Sequence, residues 1–318
     1  MSNANPNRLG QVKNTGDDKA LFMEQYAGEV LASFQEEYKL AGHVTERNIS
    51  HGKSASFPTI GTIGSEYHVP GTEITGLNVE HSEVTVGLDP MLISHVFIAN
   101  IDEAMNHYDV RSEYTRQQGL ELAKRRQLNE LRCAIRAART LEGPVAGQPG
   151  GSVLVDTKMA TDATVLANAI RAARQTFDEK EIPEEDVICA LRPAQWYLLT
   201  QNKDLIDRDY NPTAGASLAQ AVIDSVARIK LLKTNHMPGA NDKANTTLQA
   251  KYRIDTSGTV AVAFHKSAVA TLKLLDLALE DAYDARRQGT LMLSKFALGH
   301  DPLRVAGAIE LASAAPAP

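Results

Sequence analysis

Hydrophobic and polar positions recur along this chain with two different periods, and the points where the period changes divide it into segments. Leu21, Phe22, Tyr26, Val30, Leu31 and Phe34 fall at three- and four-residue spacings, which predicts an amphipathic helix over 18–40. Asp17 and Asp18 suit its start, where free backbone N–H groups favour negative charge. The residues before it are polar, lack any apolar period and read as an arm. From 44 to 100 the texture changes: Gly and Pro punctuate short segments, and Glu83 to Leu88 alternates with the two-residue period of a half-buried strand. Phe57 to Ile60 and Tyr67 to Val69 read as strands on one arm, with Met91 to Ile98 as the returning one. A two-stranded ribbon of this kind is marginally stable alone, so it needs a partner surface.

The longest periodic stretch runs from 102 to 141. Ile101, Met105 and Tyr108 form an apolar stripe near its start, and Leu128, Leu131, Ile135 and Ala138 another near its end. About forty residues at about 1.5 Å each would span roughly 60 Å, about twice the width of a small domain, so this helix is a spine. Gly119 in its polar middle costs about 1 kcal/mol relative to Ala, which predicts a bend or interruption between Ser112 and Gly119. Gly143 and Pro144 end it. Beyond a loop at 147–151, Val165, Leu166, Ala169, Ile170 and Ala173 predict a helix over 162–177. An α/β texture follows: a strand over 186–191, a helix opened by Pro193, a helix over 218–226, a strand over 227–232, a polar loop over 235–249 and a strand over 260–264. Residues 312–318 read as a frayed tail, and no internal repeat or sustained heptad appears.

At 318 residues the chain exceeds the size at which one hydrophobic core stops growing, so two lobes are expected. With 23% charged and 43% hydrophobic residues it is neither disordered nor membrane-spanning in composition. No apolar run reaches the length of a membrane span and the polar start has no signal-peptide core, which predicts synthesis in a cytoplasm without membrane association. Cys133 and Cys189 are too few and too distant for a disulfide framework, and read as buried thiols. A net charge of -6 is not the footprint of a strongly basic nucleic-acid binder, although a mildly acidic wall would keep enclosed phosphate mobile.

The candidate chemistry is thin. Gly52-Lys53-Ser54 ends like a phosphate-binding loop, but the Gly required five residues before Gly52 is Arg47, so Lys53 reads as a solvated or inter-subunit charge. The histidines are scattered with no His-x-x-x-His pair, no Gly-x-Ser-x-Gly elbow occurs, and Glu184-Glu185-Asp186 sits in a polar turn. No catalytic, cofactor or metal residues are assigned. The spine differs: Arg111, Arg116, Lys124, Arg125, Arg126, Arg132, Arg136 and Arg139 outnumber Glu113, Glu121 and Glu130. This is either a solvated face or a basic stripe that meets acidic neighbours or DNA.

Three collinear segments carry a family resemblance. They are Asp102 to Thr115; Ile49 to Pro58 leading to Tyr67 to Gly71; and His265 to Val269 leading through Lys273-Leu274 and Asp276 to Glu280 to Ala297-Leu298-Gly299-His300. Together they resemble the major capsid proteins of short-tailed bacteriophages of the T-seven type, whose shell fold is the Hong Kong 97 type. The resemblance implies an α+β fold with an N-terminal arm and helix (1–43), an extended β-ribbon and return strand (44–100), a peripheral domain with the spine helix (101–180), an axial α/β domain (181–263) and a return to the peripheral domain with the tail (264–318). It implies pentamers and hexamers of an icosahedral head enclosing double-stranded DNA, directed by a scaffolding protein, with a portal protein at one vertex. An auxiliary decoration protein is left open. Candidate assembly contacts are Lys53, Phe57, Ile60, Tyr67, Arg111, Glu113, Arg116, Arg125 and Arg126. Two rivals stand beside this reading: a DNA-binding protein using the basic helix over 111–139, and an α/β enzyme built on the 186–264 texture.

Overall fold

The computed structural model describes residues 38–100, 110–202, 223 and 225–316. In chain order the elements begin with β1 (Thr45–Asn48), β2 (Ser54–Ile60), β3 (His81–Gly87), β4 (Leu92–Ala99) and the long helix α1 (Val110–Arg139). Next come β5 (Ser152–Val155), α2 (Ala163–Glu179), β6 (Val187–Leu191), α3 (Pro193–Leu199), β7 (Ser225–Val226) and β8 (Ile229–Lys233). The last are β9 (Thr259–His265), β10 (Val269–Asp284), β11 (Gly289–Pro302) and β12 (Ala308–Ala312). The chain divides into two compact units, one holding 39–88, 127–273 and 299–318 and the other 1–38, 89–126 and 274–298.

The larger unit is organised by a six-stranded sheet of order β5-β12-β9-β6-β8-β7. β12 runs parallel to β5 and antiparallel to β9, and β6 runs antiparallel to β9 and parallel to β8. Val187 to Leu191 is buried at every position, which is why this strand reads as an unbroken apolar run rather than an alternating one, and Ala308 to Ala312 is buried throughout as well, Glu310 included. Leu166, Ile170 and Phe177 of α2 and Trp196 and Leu199 of α3 pack in one core with Cys189, Leu191, Ile309 and Leu311. Asp162 starts α2 by accepting the N–H groups of Thr164 and Val165, and Pro193 starts α3 where its missing N–H costs nothing. Elsewhere in this unit β1 pairs in parallel with the start of β10, and β2 and β3 form an antiparallel ribbon with Ser54 opposite Gly87 and Ile60 opposite His81. Val86, Ala270 and Leu272, with Phe57 and Leu88 against them, root the ribbon.

In the smaller unit β4 pairs antiparallel with β11, from Gly289 opposite Ala99 to Phe296 opposite Leu92. Tyr114 packs on Ile98 and Met292, and Leu122 on Phe296 and Leu298. Between these patches Gln118 is buried: its amide donates to Met292 O at 3.4 Å and its Oε1 accepts from Ser294 Oγ at 2.7 Å.

Several expectations need correction. Among the described residues the spine runs as one helix from Val110 to Arg139, about 45 Å, and it is not interrupted between Ser112 and Gly119. Packing of Leu122 and the buried bonds of Gln118 outweigh a propensity deficit of about 1 kcal/mol at Gly119. Tyr67 to Val69 is not a strand; it lies in an irregular, fully exposed stretch with no partner strand to reward extension. The end of the helix expected over 218–226 is instead strand β7, and β8 starts at Ile229 because Ala227 and Arg228 make a turn with φ of 50° and 64°. Ala312, placed in a frayed tail, is the buried end of β12. Residues 18–37, 102–109 and 218–222, over which helix was also expected, lie outside the described residues.

Candidate functional site

The ribbon and the long helix carry every candidate contact, and the structure treats them differently. On the ribbon, Lys53 is exposed, and its carbonyl accepts the N–H of Leu88 at 2.9 Å. Phe57 is half-buried at the root, with the Arg47 guanidinium 5.3 Å from its ring centre. Ile60 at the end of β2 is 61% exposed, and Tyr67 in the connecting loop is wholly exposed. Ile63, Val69 and Ile74 in the same loop are also exposed, none of them a candidate from the sequence. Five large apolar side chains are thus left in solvent within fifteen residues of chain, and a covering partner would remove that exposure.

The cations of the helix fall into two groups. In the larger unit, Arg132 Nη2 meets Asp242 Oδ2 at 2.5 Å, and Arg136 Nη2 meets Asp301 Oδ1 at 2.6 Å while its Nη1 donates to Lys251 O at 3.0 Å. Arg139 grips fully buried Glu310 with two bonds, Nε to Oε2 at 2.6 Å and Nη2 to Oε1 at 2.7 Å, and donates through Nη1 to Asp255 O at 2.7 Å. Thr259 Oγ1 completes the carboxylate's shell at 2.5 Å. These three arginines are spent inside their own subunit, so neither alternative, a solvated face or a stripe meeting neighbours or DNA, describes this part of the helix. The cations closer to the helix start remain as candidates. Arg116 is exposed, Arg125 half-buried, and Arg126 lies 4.3 Å over the Tyr38 ring; Arg111 and Glu113 lie in α1, at positions whose side chains are not described.

A cleft of about 630 Å³ lies at the ribbon's root, lined mainly by apolar groups such as Phe57, Pro58, Ile60 and Val305, with Lys180 and Arg304 on its wall. Lys180 Nζ donates to Gly150 O and Ser152 Oγ, both at 2.7 Å, and its burial pushes its pKa below the usual lysine range. Ser267 also lines the cleft, 2.8 Å from His265 Nδ1, but the same Nδ1 accepts the backbone N–H of Ser267 at 3.2 Å, which is the geometry of a helix cap. Among the described residues no three His, Cys, Asp or Glu side chains converge as metal ligands would, and no helix is long and apolar enough to cross a membrane.

A family model of Gp10A-like major capsid proteins matches residues 56–312, from the ribbon through β12. The chain belongs to the Gp10A-like major capsid protein family. The major capsid protein of Enterobacteria phage T3 is 32% identical to it over 332 residues, covering 95% of this chain and 94% of the relative. That of Escherichia phage T7 is 30% identical over 321 residues, covering 92% of each. The solved capsid of Cyanophage P-SCSP1u is 38% identical, with a TM-score of 0.83 over 99% of this chain and all of the other. The mature capsid of bacteriophage PhiM1 shares the fold at a TM-score of 0.77 with 16% identity, over 96% of both chains. The Gp10A-like chain therefore has the α+β, Hong Kong 97-type capsid fold, and its family is one of structural capsid proteins.

Sequence reasoning missed Asp242, Asp301 and Glu310. Each lies more than 100 residues along the chain from its arginine, and no local signal connects them.

Proposed function

We propose that this chain is the shell-forming subunit of an icosahedral phage head, arranged as pentamers and hexamers around double-stranded DNA. The observation that carries the proposal is the ribbon loop, whose Ile63, Tyr67, Val69 and Ile74 stand in solvent in the single chain. Covering each such side chain stabilises an assembly by about 1.5–3 kcal/mol, and the gain is repeated at every copy. Contacts of this kind join one patch to a different patch on the next copy, so they close into rings only when the rotation allows it.

In this reading the six-stranded sheet with α2 and α3 is the axial part, and the helix with β4, β10 and β11 the peripheral part. A scaffolding protein sets the curvature, a portal protein takes one vertex, and the DNA is held without sequence preference. Arg111, Glu113, Arg116, Arg125 and Arg126 contribute contacts to neighbours. The chain is made and assembled in the host cytoplasm and ends in the virion. Co-expression of the scaffolding protein with the Ile63→Ser, Tyr67→Ser and Ile74→Ser triple variant tests the reading. The variant subunit should keep its unfolding midpoint yet give no closed shells by electron microscopy, and shells at the unaltered yield would refute the role of the ribbon.

A further inference from the structure

The cleft at the ribbon's root holds a cation that its own chain leaves without a counter-charge. Lys180, the residue that ends α2, is half-buried on the cleft wall, and both of its side-chain hydrogen bonds go to neutral oxygens, the Gly150 carbonyl and the Ser152 hydroxyl, at 2.7 Å each. An ammonium carries three donors, so one is left over. Lys180 forms no ion pair among the described residues, whereas Arg132, Arg136 and Arg139 in the same unit each meet an acid. Arg304 lines the same cleft, is exposed, and likewise has no side-chain hydrogen bond or ion pair among the described residues. Glu181 is the one acid among the lining residues, so the charged groups of the wall sum to a single positive charge.

The remaining wall is apolar and poor in main-chain partners. Its volume of about 630 Å³ falls within the roughly 300–1,000 Å³ of small-molecule sites. Pro58, Pro144 and Pro149 have no N–H to offer, the N–H groups of Leu303 and Arg304 are bonded to Ala268 O at 2.8 Å and Ser267 O at 3.1 Å, and the Ile60 carbonyl accepts from Gln148 Nε2 at 3.1 Å. An extended peptide laid here would bury its own amides with few partners, which is costly, whereas a hydrocarbon tail has none to bury. One net positive charge matches a monoanion better than a phosphate dianion.

We propose that this cleft is a binding site for a small apolar monocarboxylate, its head on Lys180 and Arg304 and its tail along Phe57, Ile60 and Val305. The free donor of Lys180 gives the head a charge-assisted hydrogen bond, and burial of the tail supplies the rest of the affinity. The walls come from β2, the loop after α1, the end of α2 and the segment before β12, so an occupant ties the ribbon's root to the body of the larger unit without a second copy.

Titration calorimetry of the full-length unassembled subunit with hexanoate, octanoate and decanoate, each below its micelle concentration, tests this. Binding should saturate at one ligand per chain and tighten about fourfold for each added methylene. Decanol, with the same tail and no charge, should bind at least about tenfold more weakly than decanoate. Lys180→Met should cost decanoate about tenfold and leave decanol unchanged, while Lys180→Arg keeps most of the affinity. Arg304→Gln, at an exposed position where folding is not at stake, should weaken decanoate about threefold even if Lys180→Met fails to fold. Decanoate carrying a nitroxide on its tail should broaden the methyl resonances of Ile60 and Val305. Equal affinity for decanol and decanoate, decanoate binding unchanged in Arg304→Gln and in a folded Lys180→Met, or broadening confined to other methyl groups overturns the proposal. Tighter binding of a capped tripeptide holding one glutamate between two valines would assign the cleft to a protein segment and overturn it as well.

Discussion

Replacing Arg139 with Met asks how strongly the long helix is fastened to its sheet. Glu310 is wholly buried on β12, and among the described residues its carboxylate accepts two hydrogen bonds from Arg139 and one from the Thr259 hydroxyl. The arginine is itself largely buried, with 17% of its side chain exposed, so solvent screens the pair little. Removing one partner of such a pair leaves an uncompensated carboxylate and costs about 3–5 kcal/mol, roughly two to three and a half powers of ten in the folding equilibrium. Replacing both residues with apolar groups of similar volume costs far less, because the desolvation penalty disappears with the charge. Urea unfolding of the unassembled subunit should therefore show Arg139→Met far below the unaltered chain, with Arg139→Met/Glu310→Leu recovering most of the loss at an unchanged slope. A loss below about 1 kcal/mol in the single variant, or a double variant no better than the single, would refute the view that this pair is a desolvated internal fastening.

Glycine replacements should separate close approach from propensity. A Cβ on Gly151 would lie 2.3 Å from Ala137 O, so Gly151→Ala should lower the urea midpoint by the equivalent of about 1–3 kcal/mol, while Gly119, with open space around it, should gain up to about 1 kcal/mol as Ala. His265 is held below its ordinary pKa of 6.5, chiefly by burial, with Arg304 and Lys266 acting in the same direction against Asp186. The unfolded chain then binds a proton that the folded one refuses, so stability should fall as pH drops below about 6.5, and His265→Gln should flatten that part of the urea-midpoint profile. Burial pushes the Cys189 thiol up to about 12, and Cys133 is buried as well, so a thiol reagent should modify neither until the subunit unfolds, which absorbance of the released reagent would follow.

The parts of the fold that were legible in the sequence are those whose local pattern agrees with their burial. β6 and β9 are short apolar runs in a fully covered sheet, and α2 has a clean stripe ending at Phe177 with Asp162 as its cap. β10 and β11 went unassigned because 269–302 mixes Leu, Ala, Glu and Asp, which favour helix, with a strand's spacing, and pairing with β1 and β4 overrides that preference. The ribbon was legible in part: Phe57 to Ile60 pairs with β3 as a strand, whereas Tyr67 to Val69 alternates without a partner. The basic stripe was legible as composition only. That Arg132, Arg136 and Arg139 are neutralised internally depends on acids brought near by the tertiary fold, and no spacing rule reaches across it.

β12 enters the six-stranded sheet between β5 and β9 and carries Glu310. Both of its sheet neighbours, and Arg139 as well, are synthesised before it, so on the ribosome they wait with a gap between them and an unanswered cation. The sheet closes only when residues 308–312 leave the exit tunnel. Until then the core that receives Ile309 and Leu311 lacks two of its members.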